Sequence, residues 1–393
     1  MAVVADLDAL VRDGVLTMGQ ADTIRARSRA AMITLAVNVL LAGGVLAAAA
    51  GLVVLLADTL TVAGVGLALL AIGVIVLASL AATWRIFGHA AALIGAGMLI
   101  GGGVTEALTR LEPSGAGLVF LMAGAVLALV AIAAHQTSPS ALRFVTGFLI
   151  VAGVGLHLAG LYLLGQAHEV SGVPVMLLNL YAALLVAGAG WLVDVRFLTA
   201  LAIVPFAQAL DTGTFYFHAA YVFYSPEPTL SIVQMSAAIA LCLWIMAGRP
   251  ERDDRHAGMF AIMAFIVANL CFLVGSLWGD TVGESFAMTA LRAQHPDDWE
   301  AVWAGRTAFR DHALHIPEGV FSLVWAALLA ACAIWAAHTL RRGLFNAAVT
   351  FGAIHAYTQA FESFGDQPLT WVIGGLAAIP LAWGVWRLNQ QFG

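Results

Sequence analysis

Residues 343–366 have the sequence GLFNAAVTFGAIHAYTQAFESFGD. It has the length of one membrane-spanning helix, but it carries Asn346, His355, Gln359 and Glu362 where a lipid-facing helix has leucine. The last three follow one another at i, i+4 and i+7, so on an α-helix they form one stripe. Because ionisable groups are costly inside a bilayer, the stripe is expected to face other helices or a wet cavity.

Two interpretations of this stripe stay open. In the first, its side chains line a functional polar cavity. In the second, Glu362 reaches the headgroups, while His355 and Gln359 only bridge helices through hydrogen bonds, which contribute about 0.6 kcal/mol each in membranes.

The composition of the whole chain predicts an all-α, polytopic membrane protein. Of its 393 residues, 62% are hydrophobic and only 10% are charged, and 40 are glycine. The net charge of -6 gives no sign of a nucleic-acid partner. The three cysteines show no CxxC spacing, so neither a disulfide framework nor a zinc site is indicated, and the sequence identifies no cofactor.

Twelve apolar stretches predict a transmembrane bundle with both ends in the cytoplasm. A hydrocarbon layer of about 30 Å sets the length that each must cover. With this topology 13 of the 17 arginines lie on the cytoplasmic side, as the positive-inside rule requires. The predicted location is therefore the bacterial inner membrane, with a lipid bilayer around the chain. The stretches lie near 31–57, 59–82, 89–108, 115–134, 141–165, 173–193, 197–217, 229–247, 257–278, 316–337, 343–362 and 368–387.

This topology divides the chain into four parts. Residues 1–29 are cytoplasmic, and residues 30–279 hold spans one to nine. Residues 280–315 form an extracytoplasmic loop, and residues 316–393 hold spans ten to twelve. The seventh span is the weakest, because polar residues and a proline interrupt it.

The cytoplasmic segment 1–29 is predicted to form a pair of short amphipathic helices. Gly14 ends the first helix. Met18, Ala21 and Ile24 form the inward-facing side of the second. Such helices are too small to bury a core, so a protein partner is a candidate for covering them.

Glycine spacing predicts how the membrane helices pack. Gly97 and Gly101 form a GxxxG pair, a spacing that lets two helix backbones approach closely in lipid.

The loop 280–315 is too long for a simple turn. Within it, Trp299, Val302, Trp303 and Arg306 share one face at helical spacing. This pattern is typical of a helix that lies in the membrane interface with tryptophan at headgroup depth.

The end of this loop contains a possible metal site. His312, His315 and Glu318 follow one another at i, i+3 and i+6, and imidazole with carboxylate suits a transition metal. Two alternatives stay open, a titrating vestibule that attracts cations and a solvated acidic mouth without chemistry. The charge balance favours attraction of cations, since 15 of the 23 acidic residues fall on the predicted outer side.

Both ends of the chain resemble a known family. LDALVRDGVLTMGQADTIRARS at residues 7–28 and FNAAVTFGAIHAYTQAFESFGDQPLTWVIGGLAAIPLAWGVWRLN at residues 345–389 resemble the bacterial membrane proteins called domain of unknown function 2157. The resemblance implies a multispan membrane protein. It brings no activity and no site residues, because that family is uncharacterised.

Three function classes follow from these features. The first is a transporter-like protein for a small solute or cation, with an outer-facing polar cavity. The second is a membrane scaffold or sensor whose residues 1–29 bind a cytoplasmic or membrane protein. The third and weakest is an intramembrane metalloenzyme built on the three metal-ligand candidates. The residues proposed to line the polar cavity of the first class are His355, Gln359, Glu362, Glu106, Asp211, His157 and Asn346.

Overall fold

The structure is almost entirely α-helical. It is a computed structural model that describes residues 7–56, 58–79, 84–210, 227–248, 250–339, 341–364 and 368–390. Over these ranges the only extended pairing is a two-residue antiparallel ladder. The predicted all-α class is therefore confirmed. The chain divides into two compact units, Met1–Glu169 and Val170–Gly393.

The described part of the first unit contains one short helix followed by five long ones. Four of the long helices form two antiparallel hairpins, in which each helix packs along its neighbour in sequence. The helices are α1 (Leu7–Arg12), α2 (Met18–Leu56), α3 (Thr59–Ser79), α4 (Arg85–Arg110), α5 (Pro113–Thr137) and α6 (Arg143–Ala167).

The second unit combines long apolar helices with shorter helices, of which α12 and α13 are polar and α8 and α9 are apolar. Helix α10 packs along α11, and α14 packs against both α11 and α15. The helices are α7 (Val173–Val193), α8 (Arg196–Leu201), α9 (Ile203–Gln208), α10 (Pro228–Met246), α11 (Glu251–Trp278), α12 (Glu284–Gln294), α13 (Trp299–Arg310), α14 (Glu318–His338), α15 (Arg342–Phe364) and α16 (Pro368–Asn389). The strands are β1 (Asp280–Thr281) and β2 (His315–Ile316).

Eight helices in the described ranges are long and apolar enough to cross a membrane, namely α3, α4, α5, α6, α7, α10, α11 and α14. Each of them covers one of the predicted apolar stretches. The predicted stretch 197–217 differs, because it begins as two six-residue helices that meet at Ala202. Pro205 has no N–H to donate to the carbonyl of Leu201, which favours the break. The rest of that stretch, including Asp211, lies outside the described residues, and the count of twelve spans stays a prediction.

The N-terminal segment differs from the predicted pair of short helices. Gly14 has a φ of +71° and ends α1, as expected. Helix α2, however, runs without a break for 39 residues into the first apolar stretch, so the second amphipathic helix is the start of a longer one. Ala21 is buried, but Met18 and Ile24 are 70% and 41% exposed, and the prediction that they face inward is wrong. Partner binding by residues 1–29 stays a prediction.

Glycine contacts hold the α3–α4 hairpin together. A Cβ on Gly95 would overlap the backbone of Gly66 and Leu70, and a Cβ on Gly66 would overlap Gly95 in return. The prediction that another helix approaches closely at Gly97 and Gly101 is wrong for the described residues. No described atom lies within 4 Å of a Cβ built on either glycine. Both glycines lie on the other side of α4.

Substitution of these glycines tests the hairpin contact. We expect Gly95→Leu to lower the free energy of unfolding by about 1–3 kcal/mol or more, because the side chain would separate two backbones. The matched variant Gly97→Leu, two residues away on the same helix, should leave it unchanged. Thermal unfolding of the two purified variants in one detergent gives the comparison. Equal loss of stability in both would contradict the contact.

A buried histidine ties together the helix ends that are predicted to be cytoplasmic in the second unit. His256 of α11 places Nδ1 2.6 Å from Thr199 Oγ1 and Nε2 3.0 Å from Asp194 Oδ1. Arg255 adds an ion pair of 3.2 Å to the same aspartate. Asp194 ends α7 with a left-handed φ of +56°, and this conformation turns the chain into α8. The start of α11 is thus held to the α7–α8 turn by polar contacts.

Candidate functional site

The loop 280–315 folds into a helical hairpin. Its base is closed by the ladder between β1 and β2, in which Asp280 pairs with Ile316. Helices α12 and α13 pack against each other above this base. Val302 is 1% exposed within the hairpin, while Trp299 and Trp303 are 58% and 52% exposed. The predicted single apolar face of α13 is therefore divided between the hairpin core and the surface.

A buried carboxylate attaches the hairpin to α10. Glu227 is 0% exposed, and its two oxygens accept backbone hydrogen bonds from Gly283 N at 2.8 Å and Ser285 N at 2.7 Å. These N–H groups form the N-terminus of α12, where a negative charge is favourable. Burial raises the pKa of Glu227, the two backbone hydrogen bonds act in the opposite sense, and the charge of Asp280 raises the pKa further. Asp280 in turn accepts from Thr229 N at 2.9 Å.

The Glu227 contact predicts a specific defect in Glu227→Gln. An amide has one acceptor oxygen, so one N–H at the start of α12 would face an NH2 group, at a cost of about 1–3 kcal/mol. We expect faster amide hydrogen exchange over residues 283–294. The matched control is Glu112→Gln, because Glu112 also precedes a proline at the start of an apolar helix but makes no side-chain cap. The same change in exchange in both variants would contradict the assignment.

A second acidic residue, Glu284, clamps two arginines of α13. Its side chain is 15% exposed, and its carboxylate accepts from Arg306 Nε and from Arg310 Nε and Nη2, the latter two at 2.9 Å. The Arg306 guanidinium also lies over the Trp303 ring, 4.9 Å from its centroid. Burial alone raises the pKa of Glu284, but the hydrogen bonds and charges of Arg310 and Arg306 bring it below the ordinary value.

This pKa predicts how acid affects the hairpin. Because the pKa is lowered on folding, the ion pairs stabilise the folded state above the ordinary glutamate pKa of about 4.3, and the stabilisation is lost as pH falls through the lower folded value. Amide hydrogen exchange over residues 299–310 measures the free energy of opening of α13. We expect this free energy to be about 1–3 kcal/mol larger in wild type than in Glu284→Gln at neutral pH, and we expect the difference to vanish in strong acid.

Glu227 is present in both proteins, so its contribution cancels in this difference. The raised pKa of Glu227 would otherwise change the stability with pH in the opposite sense. The control is Glu300→Gln, an exposed position on α13. If the difference in opening free energy between wild type and Glu284→Gln stays unchanged in strong acid, the ionised carboxylate of Glu284 is not the source of the stabilisation.

A cavity of about 730 Å³ lies between this hairpin and the ends of α10 and α11. Its wall combines arginine, carboxylate, hydroxyl and tryptophan side chains. The lining residues are Pro228, Val274, Trp278, Gly279, Asp280, Thr281, Glu284, Ser285, Met288, Thr289, Arg292, Trp303, Arg306, Arg310 and His315.

The predicted metal site is not formed. The spacing of His312, His315 and Glu318 assumed one helix, but His312 lies in a turn, His315 in β2 and Glu318 in the first turn of α14. His315 Nδ1 instead lies 3.2 Å from Thr281 Oγ1. In the described ranges no three histidine, cysteine or acidic side chains come together to hold a metal ion. The metalloenzyme hypothesis therefore has no ligand set there.

The stripe on α15 is partly enclosed. His355 and Gln359 are half-buried, whereas Asn346 and Glu362 are exposed. The His355 ring meets the Trp325 ring edge-on, with centroids 4.8 Å apart. His355 Nδ1 and Gln359 Nε2 are buried, and neither has a hydrogen-bond partner among the described residues.

An aromatic layer formed by Phe272, Phe321 and Trp325 packs against this polar region. Trp325 is 1% exposed and donates from Nε1 to Asn269 Oδ1 at 2.8 Å. Phe272 stacks on Trp325 at a centroid distance of 6.4 Å, and Phe321 meets Phe272 at 6.5 Å. On α11, Phe272 lies between Asn269 and the cavity-lining Val274.

The remaining predicted cavity residues lie in the first unit or outside the described ranges. Glu106 pairs with Arg110 and accepts from the Thr59 hydroxyl. His157 Nδ1 lies 3.0 Å from the carbonyl oxygen of Leu121 and so links α6 to α5. Both residues connect neighbouring elements of the first unit.

The arginines of the hairpin were not among the predicted site residues. A signal was present, because three of the four arginines on the predicted outer side fall between 280 and 315, against the usual charge bias. Arg306 and Arg310 are also one helical turn apart, and this spacing places them on one face. Their partner Glu284 lies 22 residues from Arg306, and no local pattern indicates that pairing.

Comparison with protein-family models, curated proteins and solved structures gives no match to this chain. The resemblance to domain of unknown function 2157 stays a prediction. The site is therefore interpreted from its own geometry.

Proposed function

We propose that this chain is a multi-pass protein of the bacterial inner membrane that transports a small solute. In this proposal twelve spans cross the bilayer, both ends lie in the cytoplasm, and the cavity under the 280–315 hairpin is the outer binding site. The observation that carries the proposal is that cavity, because it joins the ends of apolar membrane helices to a folded polar hairpin.

The size and lining of the cavity fit a solute site. Its volume of about 730 Å³ falls in the range of about 300–1,000 Å³ typical of small-molecule pockets. Tryptophan and aliphatic side chains provide apolar contact, and a few charged groups converge on one wall, a combination that orients a ligand. The attachment through Glu227 and the clamp through Glu284 hold this wall in place.

Two buried polar atoms on α15 have no hydrogen-bond partner among the described residues, and they support a second position deeper in the second unit. A buried polar atom without a hydrogen bond costs about 1–3 kcal/mol. Water or a passing solute at His355 and Gln359 would remove that cost, so these side chains suit a transient hydrated position. Asn269 adds a polar group on the other side of Trp325.

The aromatic layer then acts as the closed part of the pathway. Phe272, Phe321 and Trp325 are packed rings in one cluster, so a solute that leaves the cavity for His355 must displace them. Alternating access in transporters moves packed helices in this way around a central site. In this proposal the present packing corresponds to a state closed between the cavity and His355.

Transport can be tested in proteoliposomes by the uptake of labelled sodium, potassium, phosphate and benzoate. We expect wild type to accumulate at least one of them, and His355→Ala to reduce uptake about tenfold or more because the deep polar position is lost. Thr289→Trp should also block uptake by filling the cavity. The matched control is Thr350→Ala on the same helix, whose exposed hydroxyl bonds only its own helix, and it should transport normally.

Two results would contradict the proposal. One is an absence of uptake of all four solutes by wild type that is folded in the same liposomes. The other is normal uptake by both His355→Ala and Thr289→Trp.

A further inference from the structure

The charge of the cavity wall is opposite to the charge of the predicted outer face. Of the described residues that line it, Arg292, Arg306 and Arg310 are cationic, and Asp280 and Glu284 are anionic. Three arginines against two carboxylates leave one net positive charge. An excess of acidic residues over the whole outer side therefore does not make this cavity a cation site.

Both carboxylates are already engaged by other groups. Asp280 accepts the backbone N–H of Thr229, and Glu284 accepts from Arg306 and Arg310. A cation entering the cavity would have to compete with these donors. An anion would instead add acceptors to a wall that already presents excess donors.

The arginines keep donors available for such an anion. Glu284 uses only the Nε of Arg306, and elsewhere in the described chain no acceptor contacts the two Nη groups of that guanidinium. Contact with the Trp303 ring and partial burial restrict its orientation, since the side chain is 29% exposed. A guanidinium edge held in this way matches a carboxylate or phosphate with two parallel hydrogen bonds.

Part of the remaining wall is apolar, and the cavity volume exceeds what a bare inorganic ion needs. Val274, Met288 and the rings of Trp278 and Trp303 line it. Tryptophan faces favour aromatic or aliphatic groups. The ligand that satisfies both parts of the wall has an anionic head and an apolar body.

We infer that this cavity binds an amphipathic oxyanion, with its carboxylate or phosphate on Arg306 and Arg292 and its apolar body against Trp303 and Trp278. The inference rests on the proposed function, because it takes the same cavity as the solute site. Two sources provide this chemistry, a free organic anion and the headgroup of an anionic lipid.

The test uses the full chain in phosphatidylcholine nanodiscs at low salt. The probes for calorimetric titration are phenyl phosphate and benzoate, with benzyl alcohol as the neutral analogue and benzylamine as the cationic one. We expect saturable binding of at least one anion and none of the two analogues. Arg306→Gln and Arg292→Gln should each weaken anion binding about tenfold, the effect of losing one charge-assisted hydrogen bond.

Arg292→Gln is a control for Arg306→Gln, and Arg341→Gln is a control for both. Arg306→Gln leaves Glu284 with fewer partners, whereas Arg292 contacts only the Trp299 ring in the described part, so Arg292→Gln tests the charge without disturbing the clamp. Arg341→Gln is the matched control, because Arg341 also lies over a tryptophan, Trp335 at 5.2 Å, but outside the cavity. It should bind the anions as wild type does.

Three outcomes would overturn the inference. They are no binding of either anion at millimolar concentration, equal or tighter binding of benzyl alcohol or benzylamine, and an equal loss of affinity in Arg292→Gln and Arg341→Gln.

Nanodiscs doped with phosphatidylglycerol separate the two sources. If this lipid competes with phenyl phosphate in wild type, and native mass spectrometry finds it retained by wild type but not by Arg306→Gln, the anion is a lipid headgroup. If it has no effect, the anion is a free solute. Both results support an oxyanion site.

The outcomes also separate this inference from the transport proposal. Anion binding with no uptake in proteoliposomes keeps the oxyanion site and overturns transport. Uptake that both arginine variants leave unchanged, with no anion binding, keeps transport and overturns the oxyanion site.

Discussion

The attachment of Glu227 to the N-terminus of α12 is the contact on which the candidate site depends. A carboxylate that is 0% exposed satisfies two N–H groups that have no intrahelical acceptor, and it does so from the residue that precedes the apolar helix α10. The cavity exists because the hairpin is held beside α10 and α11 at this point. The ladder between β1 and β2 and the hydrogen bond from Thr229 N to Asp280 hold the base of the hairpin at the same place.

The cavity also shows why the charge of a whole face is a poor guide to the charge of a site. Interactions between exposed charges fade over about 8–10 Å in salt, so acidic residues elsewhere on the outer side contribute little inside a partly closed cavity. The local set of Arg292, Arg306, Arg310, Asp280 and Glu284 decides the potential there. Because both carboxylates already accept hydrogen bonds from protein donors, the available groups are guanidinium N–H donors.

The interior polar groups have a different character from those of the cavity. Asn269 is satisfied by the Trp325 N–H and by its own helix, while His355 Nδ1 and Gln359 Nε2 are buried and, within the described residues, unpaired. Satisfied groups hold helices together, and unsatisfied ones favour a hydrated or a liganded state. The rings of Phe272 and Trp325 pack beside these groups, and on α11 Phe272 lies between Asn269 and the cavity-lining Val274. In the proposed transport function these rings are the closed part of the pathway.

The apolar pattern of the sequence was enough to predict an all-α chain with long apolar helices at these positions and the limits of the 280–315 segment, because insertion into a bilayer depends on local length and hydrophobicity. Which side chains meet depends on tertiary packing. Gly95 and not Gly97 contacts α3, and His312, His315 and Glu318 diverge because they lie on three different elements. Arg306 and Arg310 of α13 pair with Glu284 of α12. This pairing depends on how each helix is rotated about its axis, a property that no local pattern contains.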